Sequence, residues 1–321
     1  MARTFLIDTD TASDDAVALI MALRWADVEV AAITVVYGNV PVEQATKNAL
    51  YTAELCGSAV PVYMGATHPL VRPVEHATWF HGKDGLGDMN YPDPQRAPES
   101  KHAVDAIINT IKANPGIEVV TLGPLTNVAL AVSRAPEIVE HVERCVVMGG
   151  AAATIGNVTP AAEFNVWCDP EAARIVFLSG LKIEMVGWEL CRFEANLYPE
   201  EMAEVRAFGT PLAEFTIDCN RRAYEATQEQ SGDPGLGLAD PVAMAVALDP
   251  TICTRKSQHY VDVEIHSDLT RGMTVVDQLD VSTDQRNRAL WSQVHESGLN
   301  VTVCWELDVP RWKAALYSVL K

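Results

Sequence analysis

The sequence predicts an α/β fold, a mostly parallel sheet covered by helices, with a C-terminal part that is first helical and then β-rich. Two observations carry this prediction. Short apolar, β-branched runs alternate with segments of helical period, which is typical of crossover connections between parallel strands. No repeat, low-complexity linker or charge block divides the 321 residues, so we expect a single domain over residues 1–321.

The predicted elements alternate along the chain. Strands are predicted at residues 4–7, 28–36, 117–122, 145–148 and 182–186. Helices are predicted at residues 14–25, 42–55, 103–113, 128–134 and 170–177. Residues 196–240 have a helical and polar pattern, residues 252–309 are β-rich, and residues 311–320 predict a short amphipathic helix.

The bulk composition excludes some classes of partner. The chain carries 24 basic and 43 acidic side chains, a formal charge of −19, and such a surface repels nucleic acid. The seven scattered cysteines lack metal-ligand spacing and indicate buried thiols in a reducing compartment. The first residues do not have a signal-peptide pattern, and no uncharged apolar run reaches membrane-spanning length. We therefore expect a cytoplasmic protein without a membrane partner.

Four aspartates, Asp8, Asp10, Asp14 and Asp15, directly follow the first predicted strand and run into the first helix. Carboxylates this close repel one another and are costly to bury. A hard cation with oxygen ligands removes that cost, and Ca²⁺ or Mg²⁺ is the natural candidate. The positive end of the helix adds to the same attraction.

The same segment has other possible interpretations. Ser13 and Asp14 are also ordinary helix-capping residues, with Asp8 and Asp10 in the loop before them. A D-x-D after the first strand is found in phosphatases of the haloacid dehalogenase kind, but the residues after Asp10 fit that pattern poorly. The segment lacks the glycine and the terminal glutamate of an EF-hand loop.

Further polar motifs fall where the other predicted strands end, at the edge where α/β folds place their sites. With Asp8-x-Asp10-x3-Asp14-Asp15, this ordered set resembles the inosine-uridine-preferring nucleoside hydrolase family over nearly the whole chain. The motifs that carry the resemblance are Gly38-Asn39, His81-Gly82-Lys83-Asp84-Gly85-Leu86, Gly123-Pro124-Leu125-Thr126-Asn127, Met148-Gly149-Gly150, Asn157 with Glu163-Phe164-Asn165, and Asp240-Pro241.

The resemblance implies a sheet of the nucleoside hydrolase type and a single Ca²⁺ at the base of a ribose pocket. The implied metal ligands are Asp10, Asp15, the backbone carbonyl of Thr126, and Asp240. The implied contacts to the 2′- and 3′-hydroxyls come from Asp14, Asn165 and Asp240, and those to the 5′-hydroxyl from Asn157 and Glu163. Asp10 would be the general base, supported by Asn39, while Asp8 would orient its neighbours. The family also implies a homodimer or homotetramer.

The sequence departs from the family just before Asp240. Members with relaxed or pyrimidine preference usually have a histidine there, placed to protonate the leaving base, whereas this chain has Ala239. His81 is a candidate substitute in catalysis, because the family's corresponding histidine lies near the base. His81 could equally cap a loop, and both interpretations stay open.

Tryptophans offer another way to activate a leaving purine, by stacking on it. Trp79 and Trp188 are the candidates for the base, although Glu189 beside Trp188 could be the functional residue instead. Trp167 and Trp291 are predicted to be core residues. Residues 224–237, rich in glycine near the end, are predicted to form a flexible wall on the other side of the base.

The sequence therefore predicts a Ca²⁺-dependent enzyme that hydrolyses the N-glycosidic bond of ribonucleosides, leaning to purines and serving nucleoside salvage. Two alternatives remain: a pyrimidine or non-specific hydrolase, and a Ca²⁺-dependent nucleoside-binding protein without turnover. Retention of Asp10 argues against the second of these.

Overall fold

An eight-stranded sheet forms the centre of the computed structural model, which describes residues 2–288 and 298–321. The strands of the described part are β1 (Arg3–Thr9), β2 (Val28–Val35), β3 (Val62–Met64), β4 (Ile117–Thr121), β5 (Val142–Met148), β6 (Ile183–Val186), β7 (Cys253–His259), β8 (Val261–Val263), β9 (Thr274–Val276) and β10 (Val301–Leu307). The sheet order is β3-β2-β1-β4-β5-β6-β10-β7, and β8 pairs with β9 separately. Every neighbouring pair in the large sheet is parallel except β10 with β7, so the predicted fold class is confirmed.

Helices cover both faces of this sheet. They are α1 (Ser13–Arg24), α2 (Val42–Leu55), α3 (Thr78–His81), α4 (Ala103–Ala113), α5 (Thr126–Arg134), α6 (Phe164–Cys168), α7 (Pro170–Phe177), α8 (Pro199–Ala207), α9 (Pro211–Asp218), α10 (Arg221–Ser231), α11 (Ala239–Leu248), α12 (Gln285–Arg288) and α13 (Val309–Leu320). The five predicted strands and the predicted helices are present, with ends that differ by a few residues. One prediction was wrong: residues 224–231 belong to α10, and only the residues after Ser231 form a loop.

The alternation of side chains along β1 builds a core on each face of the sheet. Phe5 and Ile7 pack into a core with α1, α2, α11 and α13, whereas Leu6 packs into a second core with α4, α5 and α7. Both faces of the sheet are therefore shielded from solvent, as the apolar runs predicted. The polar residues that follow the strands lie together at the carboxyl edge of the sheet.

Helix α11 is anchored to the sheet at its C-terminal end. The Arg144 guanidinium donates to the Ala247 carbonyl at 2.6 Å and pairs with Glu118 at 2.6 Å and Glu184 at 3.2 Å. Arg3 donates to the same carbonyl at 2.9 Å. Cations at a helix C-terminus satisfy its last carbonyls and complement its dipole. The opposite end of α11, which carries Asp240, is thereby held at the carboxyl edge of the sheet.

The cysteine prediction is confirmed in that all seven thiols are free and six are buried, with Cys56 partly exposed. Within residues 2–288 and 298–321, no helix is long and apolar enough to cross a membrane.

Candidate active site

Carboxylates from two helix N-termini converge at the carboxyl edge of the sheet. Asp14 and Asp15 lie in the first turn of α1 and Asp240 in the first turn of α11. Oxygen atoms of these three side chains lie within 4.8 Å of one another. Asp10, on the loop between β1 and α1, is close enough to raise the pKa of Asp240. The structure therefore brings the late Asp240 to the N-terminal cluster, as the resemblance implied.

Asp10 is fully buried, and only one of its two carboxylate oxygens has a hydrogen-bond partner among the described residues. Its Oδ2 accepts a hydrogen bond from the Asn39 backbone at 2.6 Å, while its Oδ1 has no partner among the described residues. A Cβ on Gly38 would overlap Oδ2, and one on Gly123 would lie 2.6 Å from Oδ1. The two glycines that follow β2 and β4 are thus needed for this carboxylate to fit between the loops.

Both oxygens of Asp15 are held by its neighbours, whereas one oxygen of Asp14 is not. The Asp15 oxygens accept from Thr9 Oγ1 at 2.6 Å, the Ala12 backbone at 2.9 Å and Asn39 Nδ2 at 3.4 Å. The Asp14 Oδ1 is buried without a partner in the described part of the chain. Free carboxylate oxygens on Asp10 and Asp14 leave acceptor sites for a ligand.

The electrostatics of the cluster favour a bound cation. Burial, and then repulsion from Asp15, hold the pKa of Asp10 well above its ordinary value. Burial and repulsion from Asp15, Asp14 and Asp10 do the same for the pKa of Asp240. Burial raises the pKa of Asp14 to about 6. Such a group of acids is stable only when protons or a cation neutralise it, and oxygen donors suit a hard cation.

The raised pKa of Asp14 predicts how the cation-free protein responds to pH. Because its pKa is about 6 against an ordinary 3.8, the folded state keeps a proton that the unfolded state releases. The stabilisation is full below about pH 4 and is lost as pH rises to about 6. We expect the melting temperature of EDTA-treated protein to fall over this interval, and the fall to be smaller in Asp14→Asn. An equal fall in the variant would contradict the assignment.

Asp8 has a supporting position behind the cluster. Its Oδ1 accepts from Thr34 Oγ1 at 2.5 Å and from Asn127 Nδ2 at 2.9 Å. Asn127 also donates to the Val35 carbonyl and accepts from the Ala66 backbone. The side chain of Asp8 therefore links β1 to β2 and α5, and its orienting role stays a prediction.

Thr126, predicted to offer its backbone carbonyl to the metal, is the first residue of α5. Its hydroxyl donates to Asp169 at 2.7 Å. Leu122, just before the same motif, lines the cavity, and its carbonyl accepts from Asn165 Nδ2 at 2.9 Å. The role of the Thr126 carbonyl as a metal ligand stays a prediction.

A cavity of about 1150 Å³ opens above the acids and contains most of the predicted substrate contacts. Glu163 caps α6, and its carboxylate accepts from the backbones of Gly150, Asn165 and Val166 at 2.8, 2.8 and 3.2 Å. Burial raises the pKa of Glu163 to about 7. The predicted contacts that line this cavity are Asp14, Asn39, Trp79, His81, Asn157, Glu163, Asn165, Trp188 and Asp240.

Aromatic side chains line the outer part of the cavity. Trp79 is 60% exposed and presents its ring to the opening. Trp188 lines the cavity beneath the Arg192 guanidinium, whereas Glu189 bonds the Ala152 backbone. Trp167, predicted to be in the core, is partly buried against the core and also lines the cavity, with its ring stacked 6.4 Å from that of Phe164. Trp291 lies outside the described residues.

His81 lies at the junction of the acids and the aromatic wall. Its Nδ1 is 2.9 Å from Ser13 Oγ and 3.9 Å from Asp14 Oδ1. Burial lowers the pKa of His81 to about 4, although the charge of Asp15 opposes this shift, so the ring is neutral at pH 7. A neutral imidazole can donate a hydrogen bond but does not act as a strong acid.

Some cavity residues were missed by sequence reasoning. His76 bonds the Gly38 carbonyl at 2.8 Å, and Arg271 reaches in from the hairpin of β8 and β9 to bond the Trp167 carbonyl at 2.9 Å. Phe164 lies within the Glu163-Phe164-Asn165 motif, so the sequence did indicate that it is near the site. Nothing in the sequence around Arg271 indicates that its loop faces the cavity.

Comparison with known proteins agrees with this geometry. Residues 5–314 match the family described as inosine-uridine preferring nucleoside hydrolase. An inosine-uridine preferring nucleoside hydrolase from Leishmania major is 40% identical over 284 residues, covering 86% of this chain and 88% of that protein. A pyrimidine-specific ribonucleoside hydrolase from Salmonella enteritidis is 37% identical over 302 residues, covering 93% and 96%. The structure of a purine-preferring ribonucleoside hydrolase from Gardnerella vaginalis superposes with a TM-score of 0.89 at 32% identity, covering 99% and 98%.

The parallel sheet and the acid-lined cavity at its carboxyl edge are those of an N-glycosyl hydrolase that acts on nucleosides. The chain belongs to the inosine-uridine preferring nucleoside hydrolase family.

Proposed function

We propose that this protein hydrolyses purine ribonucleosides to ribose and free base in a Ca²⁺-dependent reaction. The observation that carries the proposal is the set of buried acids around Asp14, Asp15 and Asp240. Within residues 2–288 and 298–321, Oδ1 of Asp14 and Oδ1 of the neighbouring Asp10 have no hydrogen-bond partner. Membership of the family identifies the bond that is cleaved, the N-glycosidic bond of a nucleoside. The ion and the base preference are the parts that we add.

The donor set suits Ca²⁺, which prefers several carboxylate and carbonyl oxygens. We assign as ligands Asp10, Asp15, Asp240 and the backbone carbonyl of Thr126. When bound, the ion would acidify a water and offer further coordination to ribose hydroxyls. The remaining chemistry is assigned to side chains of this protein.

Asp10 is the proposed general base. Its Oδ1 is free to take a proton from the attacking water, and the Asn39 backbone holds its other oxygen. Asp14 offers a free oxygen to a ribose hydroxyl. Asn157 and Glu163 are proposed to hold the 5′-hydroxyl, because both line the cavity near α6. Fixing the sugar far from C1′ uses binding energy to orient the reacting bond.

The anion-rich floor also stabilises the transition state. Breaking the N-glycosidic bond develops positive charge at C1′ and the ring oxygen, and nearby carboxylates favour that charge. The leaving base then lies towards Trp79, His81 and Trp188. Ala239 occupies the position next to Asp240 where a histidine would supply a proton, so aromatic stacking has to contribute more.

Purine preference is supported by the aromatic wall, which matches the larger stacking area of a bicyclic base. The purine-preferring structure from Gardnerella vaginalis is consistent with it. A pyrimidine nucleosidase is the second candidate, favoured by the 37% identity to the Salmonella enzyme. A homodimer or homotetramer, a cytoplasmic location and a role in salvage stay predictions from the sequence.

A substrate panel tests the proposal. Inosine, adenosine, guanosine, uridine and cytidine are assayed for reducing sugar, and we expect the purines to have the higher kcat/KM. Trp79→Ala should lower kcat/KM for inosine about 2- to 12-fold, the equivalent of the ~0.5–1.5 kcal/mol of one stacked aromatic pair. Trp305→Ala, whose ring packs on His259 away from the cavity, is the control.

Two results would contradict the proposal. Calorimetric binding of nucleosides without release of ribose would indicate a binding protein instead. Faster cleavage of uridine and cytidine than of any purine would make the enzyme a pyrimidine nucleosidase.

A further inference from the structure

Ser13 and His81 form a buried pair at the wall of the cavity. Ser13 is in the first turn of α1 and fully buried, and His81 is the last residue of α3 and 6% exposed. Their side chains meet at 2.9 Å, between Ser13 Oγ and His81 Nδ1. The mechanism above assigns no role to Ser13.

The surroundings decide which atom donates in this hydrogen bond. Ser13 Oγ has no other hydrogen-bond partner among residues 2–288 and 298–321, and a hydroxyl carries one proton. The Asp14 Oδ1 lies 3.9 Å from Nδ1, beyond hydrogen-bond distance. If Nδ1–H donated, the Ser13 proton would be buried without an acceptor, which is costly. Donation from Ser13 to Nδ1 instead leaves only the ring Nε2–H without a partner among the described residues, and His81 lines the cavity, where solvent or a ligand can accept.

This direction determines the tautomer of the neutral ring. A histidine whose Nδ1 accepts a hydrogen bond carries its proton on Nε2. No hydrogen bond to Nε2 is present in the described part of the protein, and His81 lines the cavity. The Nε2–H group is therefore available to a ligand on the base side of the site.

We propose that Ser13 positions His81 and fixes its tautomer, so that the neutral imidazole donates its Nε2–H to the departing nucleobase. This inference rests on the proposed function. As the C1′–N bond breaks, its electron pair passes to the base, and the Nε2–H hydrogen bond stabilises the negative charge that develops there. The attacking water forms the C1′–O bond and gives its proton to Asp10, while the base takes a proton from solvent. A neutral histidine used in this way has a precedent in triosephosphate isomerase.

The kinetic test compares two leaving groups. Ser13→Ala should lower kcat/KM for inosine about 10- to 100-fold, the scale of one misplaced transition-state donor. It should change hydrolysis of 4-nitrophenyl β-D-riboside less than about 3-fold, because nitrophenolate departs without help from a donor. Ser13→Thr keeps the hydroxyl and should restore inosine cleavage. Ser257→Ala breaks a similar Ser–His hydrogen bond of 2.8 Å on β7 and serves as the matched control.

A spectroscopic test reads the tautomer directly. In protein labelled with ¹⁵N-histidine, the His81 signals are assigned by their loss in His81→Gln. We expect a protonated Nε2 and an unprotonated Nδ1 in the wild type, and a shift of the proton towards Nδ1 in Ser13→Ala. A wild-type ring protonated at Nδ1, or equal losses on both substrates, would overturn the inference. A wild type that cleaves no nucleoside would instead refute the proposed function, and the spectrum would still decide the tautomer.

Discussion

Asp10→Asn is expected to lower kcat/KM for nucleosides by about 10³- to 10⁴-fold, at the upper end of what a general base contributes. The amide has nearly the shape of the carboxylate, and its oxygen can still accept from the Asn39 backbone. The substitution also removes one negative charge from a group of mutually repelling buried acids. We therefore expect the fold to be retained and the melting temperature of the cation-free protein to be unchanged or higher.

Asp8→Asn is the matched control for this experiment. Asp8 is as deeply buried as Asp10 and lies on the same segment, but its Oδ1 faces Thr34 and Asn127 instead of the cavity. Its substitution should reduce activity by less than about 10-fold, since it acts only through its neighbours. The assignment of Asp10 as the base fails if Asp10→Asn keeps a tenth of wild-type activity, or if both variants lose the same amount.

Removal of the metal is expected to abolish turnover and to lower stability together. When the cation is removed, the site loses a contact to the substrate. The buried acids also lose the positive charge that offsets their mutual repulsion. Calcium at about 100 times its dissociation constant should stabilise the folded state by about 2.7 kcal/mol, visible as a higher melting temperature. Activity lost to EDTA should return with Ca²⁺.

The variant Asp240→Asn should lose most of this Ca²⁺-dependent shift in melting temperature. Asp249→Asn is its control, because Asp249 follows the opposite end of α11 and pairs with Arg311 at 2.6 Å near the surface. If EDTA leaves activity intact, or if Ca²⁺ stabilises Asp240→Asn as much as the wild type, the proposed metal site is wrong. Restoration by Mg²⁺ but not Ca²⁺ would correct the ion alone.

Much of the fold followed from the sequence, because the signals are local. The apolar runs at β1, β2, β4, β5 and β6 are buried on both faces of a parallel sheet, and they must be continuous to fill both cores. The polar residues after those strands had to meet at one edge, since parallel strands end on the same side. The position of the acids of α1 and of Asn39 was predictable for this reason.

Other features depended on contacts between distant parts of the chain. Arg271 enters the cavity from the hairpin of β8 and β9, and Trp167, which packs against the core, also lines the same space. Sequence spacing does not contain the direction of a side chain.

By itself, then, the sequence determined the chemistry of the site: a cation-demanding set of aspartates after a buried strand, at the edge of a parallel sheet. Tertiary structure alone decided which atoms are free to use that chemistry. Among the residues that the structure describes, it left Asp10 Oδ1 and Asp14 Oδ1 without partners, and it set Ser13 against His81. The physical reason is that residue type and periodicity are local, whereas burial and hydrogen-bond satisfaction depend on groups that only the folded chain brings together.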